Sequence, residues 1–319
     1  RPHEQGCSLE DALDDKRFPN LTFRLPEDLP LLLDVLRAVR VQVVEWHHLI
    51  GHAPCVRTLH ERLGVPYDVF IHDHVWFCPR ISLCDGEGRY CGEPDITGCE
   101  QCVTRWGGYL GEDISVSALV ARSGQELSGA RRLMAPSEDT VRRIRRHFPG
   151  VIIEAVALED DATLRKSIRT GHHAAYGQPV RVCVVGGISR WKGYDVLLTL
   201  AAEIQKHRLP IELSLVGHTH DDDALMSLGV RVTGEYREDE VQALIQQQQP
   251  DVGLIPSIAP ETWCYALGHI WRSGLEAVCF DLGAQGERVT RSGTGLAVPL
   301  GMPPFQLAMI VIRRWGALQ

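Results

Sequence analysis

The chain has 319 residues, of which 44% are hydrophobic, and its formal net charge at pH 7 is −8. This length supports two ordinary domains with apolar cores, and an acidic chain without a long basic run argues against a nucleic-acid partner. No stretch holds the roughly 18 apolar residues of a membrane span, and no signal peptide is visible. Because the chain begins at Arg1 without a methionine, we expect a fragment or part of a longer polypeptide.

In the first half of the chain, histidines follow two predicted strands. The strands cover residues 41–46 and 67–71, and His47 and His72 come directly after them. Since parallel strands end at the same edge of a sheet, we expect these side chains at the ligand edge. For any single histidine, a capping or satisfied polar contact is the alternative.

A cysteine-rich segment follows, with five of the ten cysteines between residues 78 and 102. The pair Cys99-x-x-Cys102 has the spacing of a structural zinc knuckle, and Cys78 and Cys91 complete a set of four ligands. Zinc would stabilise an insertion that has little apolar content of its own. Reduced thiols and two disulfides are the alternatives.

Between the cysteines and the second half, the pattern predicts helices at 114–133 and 138–147 and a strand at 150–158. The polar residues 160–179 are typical of an interdomain linker. Four arginines between residues 142 and 146 indicate a solvated or membrane-facing surface. We therefore expect a cytoplasmic protein, at most peripheral at the inner face of the membrane.

The second half alternates regularly between strands and helices. Such alternation predicts a parallel, doubly wound sheet, and thus an α/β fold. The predicted strands are 180–185, 211–216, 230–233, 251–256 and 277–282, and the predicted helices are 194–206, 238–249, 262–272 and 305–315.

Two features of this half suit a ligand that carries phosphate and sugar. Gly186-Gly187 is interpreted as a strand-to-helix loop that approaches a phosphate, with Lys192 and Arg190 as nearby cations. The predicted helix start at residues 262–264 offers free N–H groups to an anion. Glu261 precedes it and can accept hydrogen bonds from hydroxyls.

Several short motifs connect these features to a known family. They are Val185-Gly186 through Lys192-Gly193-Tyr194-Asp195, Val216-Gly217, Gly234-Glu235-Tyr236, Pro260-Glu261-Thr262-Trp263-Cys264, Phe280-Asp281-Leu282-Gly283, Glu287-Arg288 and, upstream, His72-Asp73 with Cys78-Pro79-Arg80. On these motifs the chain resembles glycosyltransferase family 4, the retaining GT-B enzymes of bacterial glycan assembly.

The resemblance implies a GT-B fold, in which two Rossmann-like domains face each other across a cleft. Residues 1–170 would form the acceptor-side domain with the cysteine-rich insertion, 178–304 the nucleotide-sugar domain and 305–319 a closing helix. The implied catalytic residues are His72, Lys192 and Glu261. The implied donor-binding residues are Gly186, Gly187, Arg190, Lys192, Gly217, Tyr236, Glu261, Thr262, Trp263, Cys264 and His269.

The resemblance also implies roles for single residues. Lys192 would contact the diphosphate, Glu261 the sugar hydroxyls, and His72 the donor sugar near the reacting centre. Transfer would need no metal, so a zinc ion at the cysteines would be structural. The partners would be a UDP- or GDP-linked sugar and a glycan or lipid-linked acceptor, with peripheral membrane contact.

The chain departs from the family pattern at four places, one of which is Gly274-Leu275-Glu276-Ala277, where the usual proline after the helix is replaced. His269 stands where a second glutamate normally binds the nucleotide ribose, and Gly187 stands where many members carry an arginine. The strand and glycine loop that open the acceptor domain are not visible before residue 40, so we expect this domain to be incomplete at its start or rearranged.

Three functional hypotheses remain from the sequence. The first is a retaining glycosyltransferase. The second is a non-catalytic or weakly active GT-B-like module that binds a nucleotide sugar or acts as a scaffold within a larger glycan-assembly protein. The third, a zinc-stabilised interaction module, depends on the cysteines alone.

Overall fold

The computed structural model describes residues 2–3, 6–9 and 21–317, which divide into two units. The first unit is Arg1–Ile81, Glu93–Pro136 and Val141–Val156, and the second is Ser82–Gly92, Ser137–Thr140 and Ala157–Gln319. No helix in these described ranges has both the length and the apolar character that crossing a bilayer requires.

Up to residue 156, the described strands are short and several helices separate them. The elements are β1 (Pro2–His3), β2 (Gly6–Ser8), β3 (Thr22–Arg24), α1 (Leu29–Ala38), β4 (Val44–Trp46), a 3-10 turn (Pro54–Thr58), α2 (Leu59–Leu63), β5 (Tyr67–Phe70), α3 (Ile96–Trp106), α4 (Val116–Gly129), β6 (Arg132–Ala135), α5 (Glu138–His147) and β7 (Glu154–Ala155).

The main sheet of the first unit is parallel, with strand order β4-β5-β6-β7. All four residues of the inner strand β5 are buried, as expected for a parallel strand that is covered on both faces. A separate antiparallel sheet, β1-β2-β3, adds Phe23 to an apolar cluster with Leu29, Leu32 and Leu33 of α1.

Two predictions for this half were wrong in detail, and one helix was not predicted. The helix predicted at 114–133 ends at Gly129 and the chain then forms β6, whose central place in the sheet overrides the helical pattern. The strand predicted at 150–158 shrinks to β7. Helix α3 was missed, although Asp95 caps it by accepting from the Gly98 N–H at 2.9 Å.

From residue 157 onward strands and helices alternate as predicted, although the helices Asp161–Arg165, Asp222–Ser227 and Gly283–Ser292 and the strand Gly295–Val298 were not predicted. The elements are α6 (Asp161–Arg165), β8 (Val180–Ile188), α7 (Tyr194–His207), β9 (Ile211–Thr219), α8 (Asp222–Ser227), β10 (Arg231–Val232), α9 (Val241–Gln248), β11 (Val252–Ile255), α10 (Tyr265–Arg272), β12 (Ala277–Phe280), α11 (Gly283–Ser292), β13 (Gly295–Val298) and α12 (Pro304–Trp315).

The second unit is a doubly wound α/β sheet, as predicted. Its strands are all parallel, in the order β10-β9-β8-β11-β12-β13. Val182 and Val184 of β8 pack on one face with helices α7 and α12, whereas Cys183 and Val185 pack on the other with α9 and α10. This period of two follows from the pleat of a strand and explains why β8 is apolar throughout.

Candidate functional site

The residues predicted to bind a ligand lie where the strand order of the second sheet reverses. Strands β9 and β10 extend the sheet on one side of β8, and β11 to β13 extend it on the other. Open α/β sheets bind ligands outside the carboxyl ends of their strands at such a switch point. The segments that leave β8 and β11 there are residues 189–193, which carry Lys192, and 256–264, which carry Glu261.

Backbone contacts fasten these two segments to each other. The Ile258 N–H donates to the Trp191 carbonyl at 3.0 Å. Gly193 has a φ of +93°, and a Cβ at this position would lie 2.0 Å from the Pro256 carbonyl oxygen. Only glycine can make so close an approach. Lys192 is therefore held beside the segment that carries Glu261.

Lys192 and Glu261 both act electrostatically on the buried thiol of Cys264. Burial raises the pKa of Cys264 well above its ordinary value, the Glu261 carboxylate raises it further, and the charges of Arg288 and Lys192 oppose the rise. Lys192 and Glu261 are themselves only half-buried. The switch point thus presents an ammonium group suited to an anion and a carboxylate suited to hydroxyl donors.

The predicted glycine loop is wrong in its position, because Gly186 and Gly187 lie inside β8. The strand stays paired with β9 beyond them, with Gly186 opposite Gly217. Gly217 has a φ of +138°, and a Cβ there would lie 2.0 Å from the Gly186 carbonyl oxygen. At Gly186 itself, a Cβ would meet no described heavy atom within 4 Å. The strand end is therefore open there, and the loop proper is residues 189–193.

The predicted helix start is also displaced. Helix α10 begins at Tyr265, three residues later than expected, after Cys264 with a φ of +68°. Trp263 and Cys264 are buried, so they can offer a ligand their backbone but not their side chains. Residues 259–264 are an anchored loop. Gly283 of α11 approaches it so closely that a Cβ would lie 2.6 Å from the Glu261 nitrogen.

Three further predicted donor residues have partners within the second unit. Arg190 donates to the Asp195 carboxylate at 3.1 and 3.2 Å. Tyr236 is half-buried against the α9–α10 side of the core, and this burial raises its pKa. His269 is buried, and its Nε2 lies 3.3 Å from the Glu238 carboxylate. Burial lowers the pKa of His269, while the Glu238 charge opposes the shift.

In the first unit, His72 follows β5 and contacts His47, which follows the neighbouring strand β4. The two rings share a hydrogen bond of 2.5 Å between His47 Nδ1 and His72 Nε2. Burial lowers the pKa of His72, and the nearby His47 and His48 lower it further. The histidines that follow the two strands therefore meet at one edge of the sheet, where His72 is neutral at pH 7.

Comparisons with known proteins agree with this architecture. Residues 179–314 match the family model described as Glycosyl transferases group 1, a match that lies within the second unit. A sequence comparison with curated proteins finds no match.

Solved structures match over nearly the whole chain. An Anabaena protein, HepE, in complex with UDP and glucose, is 14% identical, with a TM-score of 0.56 over 89% of this chain and 71% of its own. Sucrose-phosphate synthase from Thermosynechococcus elongatus is 15% identical, with a TM-score of 0.57 over 92% and 71%. The pneumococcal O-GlcNAc transferase GtfA is 12% identical, with a TM-score of 0.54 over 89% and 51%.

The fold is that of the GT-B glycosyltransferases. Within this GT-B chain, the four cysteines predicted to bind zinc are spread over several segments. Cys99 and Cys102 lie on helix α3, and Cys78 and Cys91 lie outside the helices and strands. In the described part of the chain, no group of three or more His, Cys, Asp or Glu side chains is arranged to hold a metal ion. The structural zinc gains no support and stays a prediction.

Two residues that contact the loop were not predicted as site residues. Gln285 and Arg288 of the GT-B chain's helix α11 are fully buried and contact residues 259–264. Gln285 belongs to no motif that the sequence offers. Arg288 belongs to the Glu287-Arg288 motif, which does not indicate a contact with this loop.

Proposed function

We propose that the chain is a retaining, metal-independent hexosyltransferase that moves a sugar from a nucleotide-sugar donor to a glycan or lipid-linked acceptor. The observation that carries the proposal is that the two loops that carry Lys192 and Glu261 pack against each other at the switch point of the second sheet. HepE and GtfA, which have this fold, were solved with UDP together with a sugar, and they favour UDP as the nucleotide.

The proposed mechanism assigns the leaving group to Lys192. When the bond between the sugar and the diphosphate breaks, negative charge develops on the phosphate oxygens. A fixed ammonium group beside them stabilises that charge without reorganising solvent. Open backbone at Gly186 lets the diphosphate approach the strand end.

Glu261 and His72 are assigned to the sugar. The Glu261 carboxylate accepts hydrogen bonds from donor hydroxyls and fixes the orientation of the ring. His72, neutral at pH 7, contributes an uncharged donor or acceptor near the reacting carbon. Retention of configuration follows from the family resemblance.

The test is a donor panel. We expect the purified protein to bind UDP in isothermal titration and to hydrolyse UDP-glucose, UDP-GlcNAc or GDP-mannose slowly when no acceptor is present. Lys192→Ala should lower this turnover by about 10²–10³-fold, the usual cost of one electrostatic donor. Lys206→Ala is the matched control, since Lys206 lies at the exposed end of α7 and pairs with Glu203. Undiminished turnover in Lys192→Ala would contradict the assignment.

A non-catalytic nucleotide-sugar-binding module is the second candidate, favoured by the buried His269 at the position where the resemblance calls for a ribose-binding carboxylate. This candidate predicts UDP binding without hydrolysis or transfer of any donor in the panel. Detectable turnover that depends on Lys192 excludes it.

A further inference from the structure

Helix α11 presents two buried polar side chains to the loop of residues 259–264. The first is Gln285, which has no exposed surface. Its Oε1 accepts from the Glu261 N–H at 3.2 Å, and its Nε2 donates to the Ala259 carbonyl at 2.9 Å. One amide group therefore fixes the backbone on both sides of Pro260.

The second is Arg288, which lies one helical turn later and is also fully buried. Its Nη1 donates to the carbonyls of Trp263 and Cys264 at 2.8 and 2.9 Å. The guanidinium lies over the Trp263 ring, 3.7 Å from its centroid. Arg288 thus fixes the end of the loop, just before α10 begins.

Two carboxylates balance the buried charge of Arg288. Its Nη2 lies 2.6 Å from an Asp161 oxygen and 3.4 Å from a Glu159 oxygen. Glu159 also accepts from the Trp263 indole N–H at 3.1 Å. Gly268 leaves room for this carboxylate, because a Cβ there would lie 2.6 Å from it. The loop is therefore held by a satisfied polar network.

A buried ion pair is weak evidence for stability, since apolar residues of similar volume often stabilise a core equally well. What a planar guanidinium and an amide add is direction, because their hydrogen bonds fix the carbonyls and the N–H at defined angles. These hydrogen bonds fix the backbone of the loop that carries Glu261. The geometry of the network therefore affects the position of Glu261 in the candidate site.

We propose that Gln285 and Arg288 are positioning residues of the donor site, which fix the backbone of residues 259–264 and thereby the direction of the Glu261 carboxylate. Both side chains are fully buried beneath the loop. The catalytic consequence of this assignment rests on the proposed function. Its structural part, a loop ordered by these two side chains, is tested independently of activity.

The first measurement is backbone hydrogen exchange in peptides that cover residues 259–265, on the whole chain without ligand. The variants are Gln285→Met, which keeps the volume and removes both hydrogen bonds, and Arg288→Lys, which keeps the charge and removes the planar fork. Arg291→Gln is the matched control, because Arg291 lies on the same helix, is half exposed and contacts Asp161 and Glu287.

We expect loop exchange to quicken by about tenfold or more in both variants, as follows from losing hydrogen bonds that hold a local segment. Exchange in α7 should stay unchanged, and Arg291→Gln should behave as the wild type. Unchanged loop exchange overturns the proposal. So does a rise that is spread equally over the second unit, because that outcome indicates a purely structural role.

The second measurement separates positioning from general damage. We expect UDP-glucose hydrolysis to fall by about 10–100-fold in both variants, since small displacements of a positioning group cost this much. Affinity for UDP alone should fall much less than turnover, because Lys192, the proposed diphosphate contact, lies outside the loop. Equal losses of UDP affinity and turnover overturn the proposal. If the wild type neither binds UDP nor hydrolyses UDP-glucose, the proposed function fails, and the exchange experiment still decides whether the two residues order the loop.

Discussion

His147, near the end of α5, is kept neutral by its surroundings. Its ring stacks on Phe77 with centroids 3.9 Å apart, and its Nε2 lies 3.3 Å from the buried carboxylate of Glu93. Burial, Arg146 and Arg143 together lower the pKa of His147 to about 4. Arg143, one of these two cations, also pairs with Glu93.

This environment predicts a loss of stability on acidification. Between pH 6.5 and about 4 the unfolded chain binds a proton at residue 147 and the folded chain does not, so the free energy of unfolding falls as the pH falls. The contribution is complete above pH 6.5 and is lost as the pH drops toward about 4. His147→Gln should flatten this part of the curve, measured by urea unfolding at several pH values. Identical pH dependence in wild type and variant would contradict the prediction.

Substitutions at His269 test whether this residue contributes to nucleotide binding. If the proposed donor site has lost a ribose contact there, His269→Glu should tighten UDP binding by about tenfold, the value of one hydrogen bond to a charged group. Arg272, whose Nη1 lies 3.5 Å from His269 Nδ1, can balance the new charge. His269→Gln, with no charge, is the control in isothermal titration. Equal affinities for UDP in the two variants would show that residue 269 does not face the ribose.

At the level of elements, the turn before α7 depends on glycine for two separable reasons. Gly193 needs both a positive φ and the space that a Cβ would take from the Pro256 carbonyl. Gly229 has a similar φ of +85°, but a Cβ there would meet no described heavy atom within 4 Å. The two positions therefore separate backbone strain from steric clash.

We expect Gly229→Ala to cost about 1 kcal/mol of unfolding free energy, the penalty for left-handed backbone. Gly193→Ala should cost clearly more, about 3 kcal/mol, since the clash displaces the turn as well. Urea unfolding measures both values. Equal costs would show that the turn can shift away from residue 256 without strain.

The elements that the sequence predicted best are the long, strongly periodic ones. The predicted helices at 194–206 and 305–315 agree with α7 and α12 to within one residue at each end. The start of α10 could not be predicted, because residues 262–264 have an acceptable helical pattern. What keeps them out of the helix is a set of contacts to α11, which lies about twenty residues further along the chain.

For the second unit as a whole, α12 closes one face of the sheet. Trp315 is fully buried, and its indole N–H donates to the buried Glu276 carboxylate at 2.8 Å. The backbone carbonyl of Trp315 also accepts from the Ala174 N–H. Through Trp315, α12 therefore contacts both the segment that precedes β8 and the residue that precedes β12.

Trp315→Ala should lower the free energy of unfolding by about 3–5 kcal/mol, because it opens a large cavity and leaves Glu276 without this donor. Trp315→Phe keeps most of the volume and should cost about 1–3 kcal/mol. Tyr176→Ala, at a side chain that is 87% exposed, is the neutral control. Urea unfolding followed by circular dichroism measures all three. A small effect of Trp315→Ala would mean that α12 is not needed to close the sheet.

By itself, the sequence determined the parallel, doubly wound sheet of the second half, and it marked Lys192 and Glu261 as candidate site residues. Short, continuous apolar runs that alternate with helical periods are typical of a parallel sheet covered by helices, and the motifs mark the loops that follow the strands. Only the tertiary structure decided that Gly186 and Gly187 belong to a strand, that α10 starts at Tyr265, and that α11 holds the loop. Those outcomes depend on strand register and on buried hydrogen bonds between distant segments, and local sequence patterns do not encode either one.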